Sequence, residues 1–352
     1  MSGSLSNLFV AAPRTLPAAP VPLSEAARAA MAAGVPDSTK RAYAGDWQRF
    51  TAWCSTTGRS PLPASAETLV EYTAHLTTSP RPDTRRPYAP SSIERALAAI
   101  RTAHRSASVV PPETKGARLV LRGYADQRAR SKDPADRTRK ATAALPKTLR
   151  AMLAELDRDT LIGKRDAALL LLGFATAARA SELAAVDITD VSEVEAGLLV
   201  HMYRGKVRTL TEVAVPFGQK PSTCPVRAVR ALLAALAEAG RSTGPLFVRI
   251  DRHGRIAPPM VRAGKPIGDP LGRITAQAAA QVVERAGQGA ELPGDWSGHS
   301  LRRGFATAAR QAGHDLVTIG RHGGWKDGST ALLGYFEDVD KWEGNPLSGT
   351  GL

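Results

Sequence analysis

Between Ala129 and Pro146 the chain carries Arg130, Lys132, Arg137, Arg139 and Lys140 but almost nothing large and apolar. Such a stretch cannot lie in a core, so the residues on either side must each build their own. The 352-residue length agrees, since domains run to roughly 150 residues each. The chain therefore reads as an N-terminal arm over 1–36, a helical domain over 37–130, a basic linker over 131–145 and a larger domain with a tail over 146–352.

The arm is rich in Ala, Pro and Ser, with one short helical stretch near Leu23–Ala33. Beyond it Asp37 or Ser38 can cap a helix in which Tyr43, Trp47, Phe50 and Trp53 recur at helical spacing, and Gly58 ends it. Three more helices, near Ala66–Thr77, Ser91–Ser106 and Lys115–Arg130, are separated by Pro-containing joints. In the second domain the stretch Lys147–Glu155 is helical, and Arg165–Ala178 is so apolar that a helix there must be buried on most sides. The period then falls to two. Gly197–Met202 and Leu210–Val215, joined by Tyr203–Thr209, read as a short antiparallel hairpin. Helices resume after Cys224, most clearly at Ile274–Ala286, Ser300–Ala312 and Leu316–Arg321.

Lys and Arg total 47 against 33 Asp and Glu, a net charge of +14. An excess of that size favours a polyanion, nucleic acid first, although an Arg-rich composition alone is equally compatible with coding bias. No apolar run approaches the ~20 residues of a membrane span, and no basic segment followed by an apolar one marks a secretory leader, so a cytoplasmic, nucleoid-associated protein is expected. Cys54 and Cys224 are the only cysteines and fall in different domains, which suggests neither a disulfide framework nor a Cys-based zinc site.

Four segments carry chemistry. Arg179-Ala180-Ser181-Glu182 follows the apolar helix, where Glu182 can hold a guanidinium; taken alone, such a pair is more often an ordinary surface pair. Arg204-Gly205-Lys206-Val207-Arg208 lies in the hairpin turn, from which Lys206 can reach a neighbouring cleft, or simply remain solvated. His299-Ser300-Leu301-Arg302 opens a helix, one turn apart, at an end that favours anions. It precedes an inward face of Leu301, Phe305, Ala308 and Ala312. Last come His322-Gly323-Gly324-Trp325 and, ten positions after the tryptophan, Tyr335. The order of these elements carries more information than any one of them.

In that order the chain resembles the tyrosine recombinase and phage integrase family, most closely the Cre-like branch with Gly-Gly-Trp before the tyrosine; by motif the likeness covers Ala143–Tyr335. The resemblance implies a mainly α, two-domain fold: a helical core-binding domain, then a mostly helical catalytic domain with a small antiparallel β-sheet. It implies that Arg179 and Arg302 clamp the scissile phosphate, with Glu182 beside the first. Lys206 would protonate the leaving 5′ oxygen, and His299 would bond the phosphate or take the tyrosine's proton. Trp325 would donate its indole N–H, and Tyr335 would be the nucleophile. Physics points the same way, because fixed guanidiniums stabilise charge spreading over phosphate oxygens, and a phenol of pKa about 10 needs a base or a positive field to attack. No cofactor or metal is expected. Double-stranded DNA and a homo-tetramer assembled on it are the expected partners, with room for host DNA-bending factors and none for a membrane.

Three departures from the family pattern stand out. The Trp325-to-Tyr335 spacing is one longer than usual, Ala178 stands where glycine is common before the first arginine, and His322 rivals Trp325 for its role. Alternatives with the same chemistry are a type IB topoisomerase or a telomere resolvase; a catalytically silent site-specific DNA-binding protein is the non-enzymatic one. Beyond Tyr335, the spacing of Phe336, Val339 and Trp342 predicts one apolar face on a short helix, and the resemblance implies that this face docks on a neighbouring protomer rather than packing on its own domain.

Overall fold

Where apolar residues recur every three or four positions this chain is helical, and where the period falls to two it is extended. The computed structural model describes residues 24–133, 136, 139–340, 345, 347 and 350, with backbone only at 32 and 337–340. Most of the expected arm, Arg137 of the linker and Trp342 of the tail lie outside the described residues. The chain divides into two units, Met1–Thr138 and Arg139–Leu352.

The first unit contains helices α1 (Glu25–Ala33), α2 (Asp37–Thr57), α3 (Ala66–Thr78), α4 (Pro90–Ser106) and α5 (Lys115–Arg130). Phe50, Leu69, Tyr72, Ile93, Leu97 and Ile100 form its core, with Trp47 and Trp53 packed against it. Helix α2 starts at Asp37 without a side-chain cap, so neither Asp37 nor Ser38 plays the expected role; Pro36, with φ −57°, leads into it instead. Gly58, at φ 67°, ends it as expected.

The second unit opens with α6 (Pro146–Ala154), α7 (Leu161–Ala175) and the short α8 (Ala180–Ala185). Strands β1 (Val191–Val194), β2 (Gly197–Arg204) and β3 (Thr209–Pro216) form an antiparallel sheet in that order, with Leu198 opposite Val215 and Arg204 opposite Thr209. After α9 (Pro225–Glu238) comes an exposed ribbon of β4 (Met260–Arg262) and β5 (Lys265–Ile267). Helices α10 (Ala276–Gly289), α11 (Gly298–Gln311), α12 (Leu316–Gly323) and α13 (Thr330–Asp340) complete it. Helix α7 is the hub of the core, its residues Ala167–Gly173 all buried.

Several expectations are corrected. Helix α7 stops at Ala175 rather than Ala178, because Ala177 takes a left-handed φ of 49° that a helix cannot accommodate. Tyr203 and Arg204 belong to β2, not to the turn. The inward face of α11 is Leu301, Arg302, Ala306 and Thr307 rather than Leu301, Phe305, Ala308 and Ala312; Phe305 and Ala308 are half-buried and Ala312 is exposed. Among the described residues no helix is long and apolar enough to cross a membrane.

Candidate active site

Two helix ends meet at the centre of the second unit. The last carbonyls of any α-helix lack partners within it and carry its partial negative charge, so they attract donors and cations. At the end of α7, Thr176 O accepts from Arg204 Nη2 at 3.0 Å and Ala177 O accepts from Arg302 Nη1 at 2.5 Å. At the end of α12, His322 O accepts from Arg204 Nη2 at 3.3 Å and Gly323 O accepts from Arg302 Nη1 at 2.7 Å. Each guanidinium thus bridges both helix ends.

Glu182 sits beside this bridge. Its carboxylate accepts the Arg179 backbone N–H at 3.0 Å, Arg179 Nη1 at 2.5 Å and Arg204 Nη1 at 3.1 Å. Those bonds hold its carboxyl below the usual range even though burial, the largest single influence, acts to raise it. Arg204 is fully buried and was missed by reading the sequence, where it looked like one more basic residue of a turn. The available signal was its place at the end of an alternating strand, on the buried side.

Arg302 is also buried, at 1% exposure. Its guanidinium carbon lies 3.5 Å from the centroid of the Trp325 ring, a cation–π contact. Burial first and the neighbouring Arg179 next push its pKa down to about 9, which still leaves it a cation at neutral pH. Its Nη2 is buried without a hydrogen-bond partner. A buried guanidinium N–H left over in this way is an unused donor for an anion.

The Gly-Gly-Trp segment has a local cause. Gly324 takes φ 65° to end α12, while a side chain on Gly323 would come within 1.7 Å of the Trp325 ring. Trp325 then packs with Ala177, Ala306, Ile319, Leu332 and Phe336 in a small second core. Its ring stands 6.1 Å from that of Tyr335 at 77°. Gly328, at φ 68°, turns the chain between the two. Ala178 shows no positive φ; the left-handed residue of this segment is Ala177.

His299 and Tyr335 line one cleft of 430 Å³, with Arg139, Lys140 and Arg303 around it. Although His299 is exposed, desolvation, then the charges of Arg302, Arg179 and Lys206, hold its imidazole below the ordinary histidine value. At neutral pH the ring is therefore uncharged and able to accept a proton. Lys206 is exposed in the β2–β3 turn, with its charge felt at His299. The structure thus pairs Arg179 with Glu182 and Arg302 with Trp325, links the two pairs through Arg204 and the helix-end carbonyls, sets Tyr335 edge-on to Trp325, and puts His299 within reach of the charges of Arg179, Arg302 and Lys206.

His322 does not share this cleft. Its ring stacks on Phe305 at 4.7 Å, and its Nε2 lies 2.7 Å from Ala175 O, a backbone contact on the far side of the two helix ends. Phe336, expected on a docking face, is instead buried at 1% within its own unit, because the helix face that carries it is the one packed under Trp325. Among the described residues no three His, Cys, Asp or Glu side chains are arranged to hold a metal ion.

The model of the phage integrase family matches residues 145–341. An integrase/recombinase XerD homolog of Selenomonas ruminantium is 32% identical over 288 residues, covering 81% of this chain and 77% of that protein. Recombinase Cre of Escherichia phage P1 is 25% identical over 306 residues, covering 84% and 82%. In fold, a lambda integrase dimer bound to a COC′ core site superposes with a TM-score of 0.54 at 12% identity, covering 88% of this chain and 92% of that one. Identity across most of the chain, with a family match that spans the whole constellation around Arg302, leads to one assignment: this chain belongs to the phage integrase family, the tyrosine recombinases.

Proposed function

We propose that this protein is a site-specific DNA recombinase that cleaves and rejoins duplex DNA through a 3′-phosphotyrosyl intermediate on Tyr335, as a tetramer on two DNA sites, with Trp325 acting as in the Cre-like branch. The observation that carries this reading is the buried, unpartnered Nη2 of Arg302, a guanidinium near enough to interact electrostatically with both His299 and Tyr335, which share one cleft. A phosphate there receives Arg302 and Arg179 as fixed donors, and the Trp325 indole N–H as a third. The helical first domain, the linker over 131–145 and the catalytic domain with its tail divide the work in the order the sequence suggests.

In the forward step Tyr335 Oη bonds to phosphorus and the P–O5′ bond breaks. The phenol's proton passes to neutral His299, and Lys206 gives a proton to the departing 5′ oxygen. Positive charge fixed in place before reaction stabilises the transition state without rearranging, the role a metal plays elsewhere. Because the phosphotyrosyl ester keeps the energy of the broken bond, a 5′ hydroxyl from a second duplex reverses the step without a nucleotide. Phosphate contacts made by a chain of charge +14 make binding strongly salt-dependent.

The test is a covalent adduct. A labelled duplex bearing the site found by footprinting should become attached to the protein in denaturant, in excess EDTA, and Tyr335→Phe should bind the duplex but leave it free. An adduct retained by Tyr335→Phe would overturn the nucleophile, and cleavage that requires added Mg²⁺ would overturn the arginine mechanism. Exchange between two sites, rather than relaxation of a single plasmid or hairpin ends, is the expected product.

A further inference from the structure

We infer that His322 is a positioning residue for this reaction: its imidazole ties together the two helix ends whose carbonyls aim Arg204 and Arg302. The inference rests on the reading of Arg302 as a phosphate donor.

The contacts form three rungs between one short segment at the end of α7, residues 175–177, and one at the end of α12. Arg204 spans Thr176 O and His322 O; Arg302 spans Ala177 O and Gly323 O. The remaining rung is direct, from His322 Nε2 to Ala175 O at 2.7 Å. A carbonyl can only accept, so the ring nitrogen donates and the neutral ring is the Nε2–H tautomer. The Arg302 rung is held by a cation that a bound phosphate would pull on, and the Arg204 rung by a guanidinium shared with Glu182. The histidine rung alone joins the two segments directly, with no guanidinium between them.

The ring is held on both sides. It stacks on Phe305 at 4.7 Å and 19°, three residues along α11 from Arg302 itself, and it lines an apolar cleft of 410 Å³ with Phe174, Val215 and Phe217. Burial, its largest influence, lowers the imidazole's pKa below the ordinary value. A hydrogen bond in such surroundings is strong and directional, and leaving Ala175 O without its donor is costly. If that rung is lost, the ends of α7 and α12 can shift relative to each other, and both guanidiniums move with the carbonyls that hold them. Misplacement of a transition-state donor by ~1 Å is worth about 100-fold in rate.

The experiment compares His322→Leu, which fills the space without a donor, with His322→Gln, whose side-chain amide N–H can replace Nε2–H. Single-turnover cleavage and duplex binding are measured on the full chain, well below each variant's melting temperature. The expected result is a cleavage rate about 10- to 100-fold lower for His322→Leu with binding changed less than about threefold, and a rate for His322→Gln within about threefold of the parent. Cleavage by His322→Leu at the parental rate would overturn the inference, as would His322→Gln being as slow as His322→Leu while folded. Should His322→Leu fail to fold, His322→Asn, whose shorter amide falls short of Ala175 O, takes its place under the same criteria. A parent that forms no adduct would instead defeat the underlying reading of the site, so the two failures are distinguishable.

Discussion

Glu182 is shared between Arg179 and Arg204, and this sharing explains how two arginines and a third at Arg302 can stand so close together in a buried place. Without a counter-charge they would repel one another; with one they can stand together, and Arg302 Nη2 is left as a buried donor for an anion. Removing one partner of a buried pair is costlier than the pair's net worth, at about 3–5 kcal/mol. Arg204→Met is therefore expected to lower unfolding free energy by about that amount, read from denaturant titration, and a loss below about 1 kcal/mol would show that Glu182 and the helix ends do not depend on it. Lys206, exposed in its turn, is expected to matter for rate alone. Lys206→Ala should cleave an ordinary duplex far more slowly yet recover much of its rate on a duplex with sulfur at the bridging 5′ position, whose thiolate leaves without a proton. Equal defects on both substrates would remove the general-acid role. At His299 the sign of the pKa shift is also testable. Its folded value is depressed, so the unfolded chain binds the proton more readily, and any stability tied to the neutral ring is lost as pH falls below about 6.5. In the DNA-free protein its NMR titration should have a midpoint under about 6.5, and a midpoint above that value would contradict the electrostatics.

Among the elements, the Gly-Gly-Trp corner ties local backbone to chemistry. The two glycines serve different ends, so their substitutions should differ. Gly323→Ala places a methyl group 1.7 Å from the Trp325 ring and must displace the indole from Arg302, whereas Gly324→Ala meets Arg204 Nε at 3.2 Å and adds left-handed strain of about 1–2 kcal/mol. Single-turnover cleavage should fall more for Gly323→Ala than for Gly324→Ala; the opposite order would mean that the turn, not the ring contact, sets the geometry. The same corner shows what the sequence can reveal. The buried helix α7, the β2–β3 hairpin and the ordered motifs up to Tyr335 were legible because periodicity and spacing are local properties. Arg204 was not, because its burial is created by the ends of α7 and α12, distant in sequence. Strand β1 escaped notice because its residues are mostly exposed and do not alternate. Ala177 escaped because a positive φ in a non-glycine residue is imposed by its surroundings.

For the whole molecule the remaining issue is how protomers recognise one another, since exchange of two duplexes needs four cleavages and, on the proposed reading, four copies of the chain. Phe336 is committed to the small core beneath Trp325, which ties the helix that bears Tyr335 to its own unit. A link to a neighbour is therefore proposed for the chain beyond it, residues 337–352, whose sequence holds Val339 and Trp342 together with Pro346 and several glycines. On the proposed reading, burial of these apolar side chains against a second copy would favour association of protomers. Contacts of that kind act between protomers and leave the protein–DNA phosphate contacts untouched. Deleting residues 337–352 spares Phe336 and is expected to keep single half-site affinity within about threefold, with the same steep salt dependence. Cooperativity between two half-sites on one duplex should fall, and recombination with it. The measurement is a gel-shift titration of single and paired half-sites with the parent and truncated chains, and unchanged cooperativity in the truncated chain would reject the tail as the link between protomers.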